Sequence, residues 1–139
     1  MFTEGYRDTF ATVGILLGSQ DGCPSADVDN AERRLGIKLP VSLKAYYLLS
    51  GREKRLNQFH NRLLPPAMMF ADSDYVVFME ENQRVVFWGT LGTREAKDDG
   101  PVFQGVNVRD KAIDRHPEHE SCFTFLNVMA IWHASFGGG

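Results

Sequence analysis

The chain has 139 residues, 43% of them hydrophobic and 24% charged, the size and make-up of one globular domain that buries a core without disulfide staples. A formal net charge of -3 argues against nucleic acid or an anionic membrane as the partner. No apolar run reaches the roughly 18 residues that a membrane-spanning helix needs.

The first segment, Thr3 to Leu17, places Tyr6, Phe10, Val13 and Leu17 on one helical face. Thr3 is the expected N-cap and Gly18 the expected stop. Ser19 to Pro24 has loop composition. A second helix is predicted over Ser25–Leu35, with Val28, Ala31 and Leu35 inward. Ser25 or Asp27 is suited to cap it, and Gly36 to end it in the left-handed conformation. Pro40 opens a third helix carrying Leu43, Tyr46, Tyr47 and Leu49, which Gly51 ends. Arg52 to His60 is polar and basic and reads as a solvated connection. Asn61 to Pro66 reads as extended because of its paired prolines.

Strands are expected at Tyr75–Met79, Val85–Trp88 and Pro101–Val108, the last preceded by the turn residues Asp98-Asp99-Gly100. Gly92–Lys97 and Arg109–Glu120 read as polar loops, the second with room for a short strand around Ala112-Ile113. Ser121 to Phe136 is a strong helical pattern, with Ser121 as N-cap and Phe125, Met129, Trp132 and Phe136 on one face. Leu126, Ile131 and Phe123 widen its apolar surface, so this helix is expected to be largely buried. The pattern as a whole is that of a single α+β domain.

Catalytic signatures are missing from the sequence. Glu80 and Glu81 are adjacent, and neighbouring strand residues face opposite ways, so they do not form an acid–base pair. His116 and His119 have metal-like spacing, but Pro117 between them opposes a helix that would converge them. Cys23 has no activating neighbour in sequence. Cys23 and Cys122 are too few for a disulfide framework, and reduced thiols are expected. No glycine-rich phosphate loop or nucleophile elbow occurs, so no cofactor and no metal is implied. The N-terminal residues lack the basic block and apolar core of a secretory leader, and a cytoplasmic protein is expected. Trp88 and Trp132 are by residue type either core side chains or interface anchors. Asn82 and Gln83 place two amides beside two carboxylates, a mixed donor and acceptor set.

The order of several segments resembles the SUKH superfamily (the Smi–Knr-like domain). These are Ala31-Glu32-Arg33-Arg34-Leu35-Gly36-Ile37-Lys38-Leu39-Pro40, then Leu43, Tyr46-Tyr47 and Ser50-Gly51; Asn61 to Pro66; Phe78-Met79-Glu80-Glu81-Asn82-Gln83 with Trp88-Gly89; Asp98-Asp99-Gly100-Pro101-Val102; and the final helix. Gly100 stands where a proline is common in that superfamily. The resemblance runs from about Ser25 to the C-terminus and leaves residues 1–24 poorly covered.

The resemblance implies a mainly antiparallel sheet with helices packed against it, and no enzymatic activity. It implies a bacterial immunity protein that binds a cognate polymorphic toxin, often a nuclease or deaminase, and masks its active site. The alternative is a scaffold or regulatory module similar to the fungal cell-wall assembly regulators. On this reading the partner is a protein, and Glu80, Glu81, Gln83, Trp88, Asp98 and Asp99 form the expected contact neighbourhood. Acidic residues there would speed association with a basic nuclease.

Overall fold

Residues 1–106 and 113–136 are described by a computed structural model. Its centre is strand β3 (Tyr75–Glu81), whose valines and aromatics suit a strand covered on both sides. It pairs with β4 (Val86–Leu91), which continues through β5 (Val102–Val106) to β6 (Asp114–His119). On its other edge β3 carries two short strands, β1 (Asn61–Leu63) and β2 (Phe70–Asp72). All pairings are antiparallel, giving a six-stranded sheet. The α+β class expected from the sequence is therefore what forms.

Helices α1 (Phe2–Thr12), α2 (Ser25–Leu35), α3 (Val41–Ser50), the single turn α4 (Lys54–Asn57) and α5 (Cys122–Phe136) complete the domain. The main core joins Tyr6 and Phe10 of α1, Tyr46 and Tyr47 of α3, and Phe125 and Leu126 of α5 to Val76, Phe78 and Trp88 of the sheet. A smaller cluster of Leu64, Tyr75, Val77 and Phe87, flanked by Phe70, Phe103 and Ile113, forms separately. A register shift between Val77 and Met79 lets both Phe78 and Met79 join the main core.

Several boundaries differ from the sequence reading for local reasons. Helix α1 begins at Phe2, so Thr3 lies inside it, and it ends at Thr12. Gly14, two residues on, has φ +77°, a left-handed stop that comes before Gly18. In α2 neither Ser25 nor Asp27 caps. Pro24 holds the capping position, and its carbonyl accepts the Asp27 N–H at 3.0 Å. Gly36 does end α2 in the left-handed region, at φ +70°. The charged stretch from Asp114 to His119 is strand β6 on the sheet edge, exposed along its length. Its charges and Pro117 discourage further strands from pairing there. The part of the expected short strand at Ala112 lies outside the described residues, as do Asn107, Val108 and the final glycines.

The stretch after Gly51 is more than a solvated connection. Turn α4 buries Leu56 and Asn57. Asn57 Oδ1 accepts from the Tyr46 hydroxyl at 2.7 Å, and Nδ2 donates to the carbonyls of Ser50 (2.7 Å) and Glu53 (2.9 Å). Three bonds on one buried amide tie α3 to α4. Asn57→Ala leaves the buried Tyr46 hydroxyl without its acceptor and removes two further bonds, although the Ser50 and Glu53 carbonyls keep the N–H groups of Glu53 and Leu56, and should lower the unfolding free energy by about 2–3 kcal/mol. Urea denaturation reads this directly, and an unchanged midpoint would remove the claim.

Candidate functional site

The final helix carries the least ordinary surface of the molecule. Along its 15 residues α5 has no aspartate, glutamate, lysine or arginine. Cys122, Leu126, Ala130 and His133 face the core. The opposite side presents Val128 (57% exposed), Ile131 (40%) and the small, uncharged Ser135, with Phe136 (68%) at the end. The helix is thus less buried than its composition predicts. Its outer face is uncharged, mostly apolar, and meets solvent.

That face continues into an aromatic seam. Trp132 lies 5.6 Å from both Phe59 and His60, centroid to centroid, and 6.4 Å from Phe136. Phe59 and His60 are themselves 4.0 Å apart. Trp132 is half-buried, neither full core nor free. Beyond the seam, the His60 carbonyl accepts the Asn82 N–H at 2.8 Å, which draws the β3–β4 turn alongside. A cleft of about 270 Å³ lies between the two, lined among others by Phe59, His60, Glu80, Glu81 and Arg84. In sequence these segments lie far apart; in the fold they are one surface. The uncharged run of α5 was the signal for it, since a helix without charges on any side needs something to cover it.

The six residues expected at a contact surface do not come together. Glu80 sits within β3 and is buried. It accepts from Arg62 at 2.6 Å, with Arg84 at 3.8 Å. Trp88 is buried and tilted against Phe125 at 6.4 Å. Glu81 is partly exposed and braces the hairpin by accepting the Val86 N–H at 3.2 Å. Gln83 is exposed at the turn, and Arg84 beside it adopts φ 59°. Asn82 is exposed too, and its backbone N–H, donating to His60, ties the turn. Asp98 and Asp99 follow the opposite end of β4, roughly 20 Å from the turn by strand length. Asp98 is exposed. Only Glu81 and Gln83 of the six therefore border the seam with accessible side chains.

Asp99 serves the fold. Its carboxylate accepts from the hydroxyls of Ser42 (2.6 Å) and Ser121 (2.5 Å), and from the N–H groups of Gly100 (2.9 Å) and Phe123 (3.2 Å). Burial raises its pKa, but these hydrogen bonds outweigh burial and hold it below the ordinary carboxylate value. Ser121 caps α5 as expected, its hydroxyl accepting the Thr124 N–H at 3.1 Å.

The remaining candidates for chemistry are dispersed. His116 pairs with Gln104 and His119 with Val102 across a register irregularity in β6, and both lie on this exposed edge strand. No grouping of three metal-binding side chains occurs among the described residues. Both cysteines are buried and unbridged, and burial raises both thiol pKa values, Cys122 to about 12. No described helix is long and apolar enough to cross a membrane. Comparison with protein families, with curated proteins and with solved structures returns no match.

Beneath the seam lies His133, fully buried. Its Nδ1 is 2.8 Å from the Leu56 carbonyl, which can only accept, so Nδ1 carries the proton. Nε2 is buried without a partner. Burial holds its pKa below the usual imidazole value; the Leu56 carbonyl opposes that effect and His60 adds to it. The neutral ring therefore supports the fold fully above about pH 6.5, its unfolded value, and that support is lost as pH falls below it. Between pH 8 and 5 the urea midpoint should drop less in His133→Phe than in the parent chain; equal slopes would contradict the assignment. Asp99→Ala, measured at neutral pH, should cost about 2–3 kcal/mol by leaving two helix starts without their acceptor.

Proposed function

We propose that this protein is a non-enzymatic protein-binding domain whose contact surface is the outer face of α5 with the Phe59–His60–Trp132 seam. In keeping with the SUKH resemblance, it acts as an immunity protein that neutralises a cognate toxin domain by covering its active site. The observation that carries the reading is the uncharged outer face of α5, from Val128 to Phe136, left open to solvent beside a cluster of aromatics. Protein interfaces have this anatomy, with an apolar, aromatic centre depleted of charge and a polar rim. Glu81, Gln83 and Arg84 supply such a rim at the β3–β4 turn.

Masking of this kind needs shape and apolar contact, with no reacting group. It also changes the expected role of charge. Glu80 is neutralised by Arg62, and Asp99 is held by four hydrogen bonds, so neither offers a free negative field to a basic nuclease. Apolar burial is the larger contribution, and Glu81 the accessible carboxylate at the rim.

The test is affinity capture from the native host followed by a variant series. The tagged protein should retain a toxin domain and suppress its activity. Ile131→Asp places a carboxylate in the centre of the patch and should weaken the complex by at least about a hundredfold. Its unfolding midpoint should stay near that of the parent, because Ile131 faces solvent in the free protein. Full retention of toxin binding by Ile131→Asp would place the contact elsewhere.

A further inference from the structure

Beneath the seam, α4 and α5 are joined through one imidazole. The Leu56 carbonyl belongs to the single turn α4, whose last carbonyls have no further helical N–H to accept. The Nδ1–H of His133 fills that gap at 2.8 Å. Gln58 ends the turn, and Phe59 and His60 follow at once. Trp132, the residue before His133, meets both of them at the surface. A buried bond therefore sets the aromatic contacts above it.

The joint suits only a neutral ring. Nε2 of His133 is buried with no hydrogen-bond partner. Once protonated, it carries an N–H without an acceptor, and the ring holds a buried charge. The carboxylates on the surrounding elements are committed elsewhere. Glu53 before α4 is held by Arg55, Glu80 of β3 by Arg62 of β1, and Glu81 braces the hairpin through the Val86 N–H. Lys54 of α4 is an exposed cation and offers no relief. Tyr46 and Tyr47 of α3 stay neutral, because burial pushes both hydroxyls up. His60 opposes a charge on His133 rather than balancing it.

The neighbouring fastenings do not titrate with it. Asn57 holds α4 to α3 through an amide, which takes no proton in mild acid. Asp99 holds the start of α5, and its hydrogen bonds keep its pKa below the ordinary carboxylate value. Mild acid therefore strikes the joint between α4 and α5. It spares the joint between α3 and α4 and the far end of α5.

We infer that His133 is an acid-operated latch on the seam. When its ring is protonated, the second half of α5 parts from α4, Trp132 leaves Phe59 and His60, and the remaining fold stays closed. Above about pH 6.5 protonation gives the open form no advantage. Each unit below that favours opening about tenfold more, until the buried ring itself takes the proton. On the proposed function the partner binds the closed seam, so acid draws the protein away from the form that binds. That consequence rests on the seam being the contact surface; the opening itself does not.

The test is hydrogen exchange of the full chain at pH 7, 6 and 5, corrected for the intrinsic rate at each pH. Opening of the amides from Met129 to Ser135 should rise about tenfold between pH 6 and 5. Amides of β3 should open at least about tenfold less often at every pH, as expected for a local event. His133→Asn keeps an N–H near the place of Nδ1 and takes no proton, so its α5 opening should change less than about twofold. The slope with pH is read there, not the level, so a less stable variant still answers, and the parent slopes need no variant. His60→Gln should keep the parent slope. Equal opening of α5 and β3, no rise in the parent chain, a rise that survives in His133→Asn, or one lost in His60→Gln would overturn the latch and leave the contact surface standing. Captured partner at about a hundred times its dissociation constant should lower α5 opening about a hundredfold. Unchanged opening in the intact complex would instead place the contact elsewhere and leave the latch standing.

Discussion

Asp99 is the point on which the arrangement of helices depends. One carboxylate holds Ser42 at the start of α3 and Ser121 and Phe123 at the start of α5. It also accepts from Gly100, fixing the loop that connects β4 to β5. Both helices thus begin from one negative charge near their positive ends, where charge-assisted bonds are strongest. Tyr6 extends the same junction to α1 by donating to the Ser42 carbonyl at 2.9 Å. The side chain expected at a partner surface is instead what brings three helices to one end of the sheet.

Anchoring those helix starts leaves the other end of α5 open. From its fixed N-terminus the helix runs over the sheet, burying Phe125, Leu126, Ala130 and His133, and ends beside Phe59 and His60. The seam is therefore made where a helix end, the segment after α4 and the β3–β4 turn meet. Buried polar bonds set this meeting place. Asn57 holds α4 against α3, and the Leu56 carbonyl holds His133. The uncharged outer face can remain unpaired because none of these anchors uses it. On the proposed function, the fold fixes its polar junctions inside and keeps that surface for the partner.

Much of this was legible in the sequence where local chemistry decides the outcome. The 3.6-residue spacing of Val28 and Ala31, and the left-handed Gly36, place α2 within its observed bounds. Ser121 announces α5 because an N-cap needs only its own first turn. The failures come from tertiary context. β6 is almost wholly charged and contains a proline, so only its pairing with β5 makes it a strand. The Asn57 network depends on a tyrosine in a different helix. Glu80 looked like a surface acid until β1 delivered Arg62 beside it. The seam joins residues near 59, 82 and 132, a separation that no periodicity reports; the uncharged stretch of α5 was the only local trace of it.

The most direct test of the partner-binding account is a hydrogen-exchange footprint of the protein with and without its captured partner. Slowed exchange confined to residues 58–60, 81–85 and the second half of α5 is the predicted result. Protection that leaves α5 and Phe59–His60 untouched, with the complex intact, would contradict it.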